Sequence, residues 1–489
     1  MRSVLVLLGT LLLVLVPART GVAQPPAPRT ERLAAHAERL LAARADLAQA
    51  AFEAGLWREA GMFVRAVVAA KPGHSVARLA DELKAMPSDA FVRTYREAVE
   101  KHGSTFRKRV RQTLAPLADE LVSLADEALA AGERELAEQW YARAYQVDSD
   151  NGKALQALRK FDYDAIFNYG VLPREDKKEA RDVLRRLGGR FLQRDDLARE
   201  LEYWSDAWGL QTKHYRFVAN AAHGTVFAFA QACEDLYEAW EAFMTAHRQP
   251  LRALTKPSTV FLFASRIDYE SVLRLRGEDP PDSSAVLGYY APATKIGYFY
   301  YDEEFYAGDK TLLFETFYHE GAHQLFDLRY KVAFRGHSAD YRPLPWVEEG
   351  FAVYLESLVL DKPGDGKSAR FGEVVDDDLG VALDLAARNE LMPLAEFAHL
   401  SEARWDDYAA GYPHAALVVH WLLHGDGGKR RGTAMELLVA HKQNGGLRKG
   451  TLFDLLGMTP EAAEQALLAH AAKLRKELPR RNYPNSDKR

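Results

Sequence analysis

The sequence predicts an α+β fold, in which an all-α, helical-repeat-like region precedes a small sheet with helices packed on it. Three observations carry that prediction. Residues 31 to about 160 are rich in Ala, Leu, Glu and Arg and poor in Gly and Pro, the composition of helices. His214-Tyr215-Arg216-Phe217-Val218-Ala219 alternates as a half-buried strand does, and residues 259–263 form an apolar run of strand length. Residues 311–326 then return to a helical pattern, with Leu313, Phe314, Phe317 and Leu325 as positions to bury.

At 489 residues the chain is long enough for two or three domains and a substantial core. Its 64 Lys and Arg against 69 Asp and Glu give a net charge of −5, which argues against a nucleic-acid partner or an anionic membrane surface. Residues 1–23 read as a signal peptide. Arg2 supplies the charged end, Val4 to Val16 the apolar stretch, and Gly21-Val22-Ala23 a small-residue cleavage site. The expected location is therefore secreted or periplasmic, with no stable membrane span left after cleavage. The apolar stretch is short for a span, although an uncleaved anchor is the alternative. Cys233 is the only cysteine, so no intrachain disulfide can form.

Residues 24–160 should form the helical domain. Within it Leu47-Ala48, Ala51, Gly55, Ala60 and Phe63 recur, 77 residues later, as Leu124-Ala125, Ala128, Gly132, Ala137 and Trp140. Small residues at helix crossings, a glycine at the turn and an aromatic plug resemble tetratricopeptide helix pairs, with an irregular bundle as the alternative. Such a domain offers a surface for a protein partner. Residues 161–205 read as a connector punctuated by Gly170, Pro173 and Gly188-Gly189. Next come a helix from about Gly224 to His247 and strands at 288–290 and 295–300. Residues 426–478 should be a C-terminal helical subdomain and 479–489 a disordered tail.

The chemistry is concentrated in His319-Glu320-Gly321-Ala322-His323. Residues four apart share a helix face, so both imidazoles can grip one metal ion. Glu320 lies about 100° round the helix, beside the ligands, where it can act on a metal-bound water. This H-E-x-x-H pattern points to zinc held by two histidines with a glutamate as general base. A catalytic zinc takes three protein ligands and leaves a fourth position open. The stretch from Pro345 to Glu356 offers Glu348 and Glu349, the latter 26 residues beyond His323. Adjacent helical residues point about 100° apart, so only one of the two can face the metal.

The pair of motifs resembles the gluzincin metallopeptidases. Trp346, Glu349, Gly350, Phe351, Ala352, Tyr354 and Glu356 are similar to the pattern of the leukotriene-hydrolase type of zinc aminopeptidase. A nearer resemblance, over residues 205–475, is to secreted bacterial proteins of the peptidase MA-like group. The resemblance implies a zincin-like metallopeptidase domain over 206–425, with one zinc on His319, His323 and Glu349. It also implies catalysis by Glu320 on a peptide or protein substrate. Glu349 is preferred to Glu348 because it precedes Gly-Phe-Ala, as the ligand does in that family. Tyr412 would stabilise the tetrahedral intermediate, with Tyr408 as its rival. An edge strand at 288–300 would pair with extended substrate.

Two departures from the family matter. Where many gluzincins carry an Asp four residues after the ligand glutamate, this chain has Val353, which leaves Glu356 to orient a histidine. The Gly-x-Met-Glu-Asn segment that holds a free amine in the aminopeptidases is missing before His319, which favours an endopeptidase. His337 reads as a surface residue, and His414 and His420 as structural. The competing reading is a non-catalytic, partner-binding scaffold with a structural zinc, against which the intact Glu320 speaks.

Overall fold

The computed structural model describes residues 27–85, 88–166, 170–172, 174–204, 206–278, 287–303, 306, 309–331, 343–373 and 377–477. The signal segment, the C-terminal tail and His337 lie outside them.

The chain begins with helices α1 (Ala27–Glu53), α2 (Trp57–Ala70), α3 (Arg78–Lys84), α4 (Ser88–Ala130), α5 (Arg134–Val147) and α6 (Gly152–Lys160). A hairpin of β1 (Asp164–Ile166) and β2 (Gly170–Leu172) follows, then α7 (Arg174–Arg186), β3 (Arg190–Phe191) and the single turn α8 (Ala198–Leu201). Next come β4 (Trp208–Gln211), β5 (Tyr215–Ala219), α9 (His223–Ala246), β6 (Ser258–Phe263), α10 (Arg266–Arg276), β7 (Gly288–Ala291) and β8 (Ile296–Tyr300). The rest is helical: α11 (Thr311–Arg329), α12 (Pro345–Glu356), α13 (Asp377–Arg388), α14 (Leu394–Phe397), α15 (Glu402–Trp405), α16 (Gly411–His424), α17 (Arg431–Asn444), α18 (Thr451–Leu456) and α19 (Pro460–Glu477). The fold is thus mixed α+β, with one six-stranded sheet in the order β3-β4-β5-β6-β8-β7.

Two compact units divide the chain. The first comprises Met1–Leu210, Val218–Val226 and Leu262–Asp282, and the second Gln211–Phe217, Phe227–Phe261 and Ser283–Arg489. The units interleave in sequence. The stretch read as a connector, 161–205, carries α7, α8 and strands β1 to β3. Within the first unit, Asn220 donates to both Asp206 and Asp268, while Arg58 pairs with Asp206 and Arg65 with Asp268. These half-buried ion pairs tie α2 to the chain at 206, 220 and 268. Each partner left alone would be an uncompensated charge, so the set must form together.

The 77-residue echo has a structural counterpart. Gly55 (φ 73°) ends α1 and Gly132 (φ 80°) ends α4, both in the left-handed region open to glycine. One residue on, the Leu56 amide donates to the Ala51 carbonyl at 2.8 Å and the Glu133 amide to that of Ala128 at 2.9 Å. The next helices, α2 and α5, are each 14 residues long. Their core positions Ala60 and Ala137 are fully buried, as are Ala51 and Ala128, so the helices cross where no larger side chain fits.

In the second unit the core is aromatic. Phe229 makes edge-to-face contacts with Phe217, Phe299 and Phe317, at centroid distances of 6.2, 5.3 and 5.1 Å. Phe317 lies on α11, so this cluster seats the H-E-x-x-H helix against the sheet. Gln324, 1% exposed, adds bonds from its amide to the carbonyls of Thr259 and Lys295.

A candidate metal centre on two helices

Helix α11 presents His319 and His323 on one face, and α12 brings a carboxylate to them. His319 Nε2 lies 3.1 Å from Glu349 Oε2, His323 Nε2 lies 3.4 Å from the same oxygen, and the two imidazole nitrogens are 3.3 Å apart. Among the described residues this is the one set of three or more side chains able to converge on a metal ion. The fit can be tested on those distances. Tetrahedral zinc with bonds of about 2.0–2.1 Å requires ligand atoms roughly 3.3 Å apart. The three separations match that edge, and the donor chemistry is that of catalytic zinc.

Which acid of the Glu348-Glu349 pair faces the histidines is decided by α17. Glu348 is occupied by His441 Nδ1 at 3.0 Å and Lys442 Nζ at 2.6 Å. Burial opposes its ionisation, yet these two groups hold its carboxyl down at about 2. Glu349, turned the other way, is buried too, but the hydrogen bonds to His319 and His323 hold it well below the usual carboxylate range.

Glu356 closes the arrangement from behind, its Oε1 2.7 Å from His319 Nδ1. A carboxylate only accepts, so Nδ1 carries the proton and Nε2 is left to face the metal position. Burial disfavours charge on His319, but the bonds to Glu349 and Glu356 outweigh it and raise its pKa well above that of free histidine. Val353, where the resemblance would have an Asp, is buried in the core at 1% exposure.

Glu320 points to the sheet side. Its Oε2 accepts from the backbone N–H of Tyr290 at 2.7 Å. Strand β7 is the terminal strand beyond β8. The Tyr300 amide bonds the Leu287 carbonyl, and ladder bonds alternate, so the Tyr290 N–H points away from β8. Tyr290 is itself anchored by its hydroxyl, 2.5 Å from Asp327.

Helix α16 supplies Tyr412, whose ring lies 5.9 Å from that of His319 and 5.2 Å, edge-to-face, from that of Trp405. Its ring is 43% exposed, unlike the core tyrosines. Burial of the hydroxyl and the charge of Glu349 raise its pKa. Tyr408 is placed elsewhere: its hydroxyl accepts from the Met392 amide at 3.1 Å and meets His414 at 3.3 Å. The approach of α16 depends on Gly350, where a Cβ would stand 2.9 Å from the Ala415 carbonyl oxygen and 2.8 Å from Val419. His414 and His420 are 1% and 3% exposed and take part in core contacts rather than the site.

Three participants carried no signal in the sequence. The Tyr290 amide, the Trp405 ring and the acid Asp378, whose pKa is raised by burial and eased back by the charge of His319, reach the site only through tertiary structure. Compared with known proteins, the chain matches no protein-family model and no characterised protein.

Proposed function

We infer that this chain is a secreted zinc metallopeptidase of the gluzincin kind, with a zincin-like catalytic domain, acting within peptide or protein chains. The observation that carries this reading is the spacing of His319, His323 and Glu349, three donors separated by the edge length of a zinc tetrahedron. Zinc, once held, supplies a Lewis acid for the scissile carbonyl and lowers the pKa of water towards about 7. Glu320, fixed through one oxygen by Tyr290, takes the water's proton with the other and passes it to the leaving amine. Glu356 keeps His319 in the tautomer that presents Nε2. Tyr412 donates its hydroxyl to the oxyanion as it forms. An extended substrate lies along the terminal strand β7, which brings its backbone past Glu320.

The scaffold reading is less favoured. A structural zinc closes its fourth position with protein and needs no base. Among the described residues the set ends at three ligands, and a glutamate stands beside it. No helix among those residues is long and apolar enough to cross a membrane.

The test is digestion of a denatured-protein library by the purified chain, with and without a chelator. Internal cleavage that stops on chelation and returns with zinc supports the reading. A zinc-loaded protein that cleaves nothing removes it.

A further inference from the structure

We propose that Asp327 is a positioning residue for Glu320, acting through Tyr290; this rests on the reading of Glu320 as general base. Glu320, Gln324 and Asp327 follow one another at four- and three-residue steps along α11, so they share a face of the helix. That face grips the β7–β8 hairpin at three points. Glu320 Oε2 accepts from the Tyr290 N–H at 2.7 Å, the Gln324 amide donates to the Lys295 carbonyl at 3.3 Å, and Asp327 Oδ2 accepts from the Tyr290 hydroxyl at 2.5 Å. Tyr290 is therefore held twice by one helix, through its main chain at Glu320 and through its side chain two turns further on.

The strand needs that second hold. β7 is paired along one edge only, to β8. On its other edge, among the described residues, the Tyr290 N–H meets Glu320 rather than a further strand. A carboxylate on a flexible side chain cannot by itself fix the strand that is meant to fix it. The Tyr290 ring is buried and rigid, so a bound hydroxyl ties the residue's main chain in place as well. Burial and the bond to Asp327 raise the pKa of that hydroxyl, which stays protonated and donates. The other oxygen of Asp327 lies 3.6 Å from Lys295 Nζ, but both of these side chains are exposed to water, which screens the pair. The tyrosine is the stronger partner. A general base must stand within hydrogen-bond reach of the water it deprotonates, and a displacement of about 1 Å can cost roughly a hundredfold in rate. Asp327, four residues beyond His323, sets that reach through the strand.

Two readouts on the full-length protein test this. One is amide hydrogen exchange at position 290, which needs no turnover; the other is kcat and KM on a peptide that the zinc-loaded wild type cleaves. Asp327→Ala should speed the exchange and lower kcat, each by about tenfold or more, with zinc content unchanged and KM altered less than kcat. Tyr290→Phe should do the same. The double variant should be no worse than either single one, since the same bond is lost in all three. Asp327→Asn removes the charge, and with it the pair to Lys295, yet keeps an acceptor for the hydroxyl, so both readouts should return close to wild type. Unchanged exchange and kcat in Asp327→Ala, additive losses in the double variant, or an Asn variant as damaged as the Ala one would overturn the proposal and leave the peptidase reading standing. A zinc-loaded wild type that cleaves nothing would overturn both, since there would be no base to position.

Discussion

His319 Nδ1 and Glu356 Oε1 stand 2.7 Å apart, a bond between the metal helix α11 and the end of α12 that sets which nitrogen of His319 faces Glu349. Replacing the carboxylate removes the group that fixes the tautomer. Glu356→Ala should weaken zinc binding by about 10- to 100-fold while the three ligands remain. Competition with a chelating dye measures this. Wild-type affinity in the variant would deprive Glu356 of its role.

Glu348 and Glu349 should separate cleanly. Glu349→Ala deletes the proposed third ligand, and zinc retention should collapse. Glu348→Ala leaves His441 and Lys442 without their acid, so it should lower the melting temperature yet keep zinc. Metal analysis of the two variants beside thermal melts decides. The reverse pattern would place Glu348 at the metal.

Gly350→Ala should be destabilising out of proportion to one methyl group. The added carbon meets the Ala415 backbone oxygen at 2.9 Å, and a backbone atom cannot swing aside. Overpacking of this kind costs about 1–3 kcal/mol. Because α16 must shift, turnover should fall as well. A variant with wild-type stability in denaturant titration would show that the two helices tolerate wider spacing.

The hydroxyl of Tyr412 should count in turnover and hardly in stability. Tyr412→Phe keeps the ring against Trp405 and should lose roughly a hundred- to thousandfold in turnover. Tyr408→Phe frees the Met392 amide and should lower stability with a smaller kinetic effect. Full activity in Tyr412→Phe would end its proposed role.

The C-terminal half should be acid-labile. Burial pushes His414 and His424 down to about 3 and His470 to about 4. The Gly372 carbonyl can only accept, so His420 Nε2 donates to it and His420 Nδ1 accepts from His470, an arrangement that requires a neutral His420. In the unfolded chain these groups protonate near 6.5. Above that pH neither state is charged and nothing is gained or lost. Below it the unfolded state binds protons that the folded state refuses, so stability falls from about 6.5 towards 3–4. For His414 alone the loss is about 2 kcal/mol by pH 5. Denaturant midpoints at pH 7 and pH 5 measure it, and His414→Phe should flatten the slope. Equal midpoints would contradict the buried, neutral assignment.

What could be read from the sequence was local. His319 and His323 share a helix face because of their spacing, whatever surrounds them, and the recurrence of Gly55 at Gly132 needed only a periodic eye. What could not be read was tertiary. The orientation of Glu348 away from the histidines depends on His441 and Lys442, more than ninety residues later, and no pattern near Trp346 announces them. Tyr408 and Tyr412 are not separated by period; they are separated by the use of the Tyr408 hydroxyl by Met392 and by the closeness of the Tyr412 ring to His319. The meeting of Asp206, Asn220 and Asp268 is tertiary in the same way, since the three come together through folding alone.

The central claim is that Glu320 acts on water at a zinc ion and does not bind the metal itself. Its most direct measurement is zinc content and peptide turnover in Glu320→Gln beside wild type and His323→Ala. The account predicts one zinc per chain in wild type and in Glu320→Gln, turnover only in wild type, and neither zinc nor turnover in His323→Ala. Loss of zinc from Glu320→Gln, or turnover undiminished without the carboxylate, would contradict it.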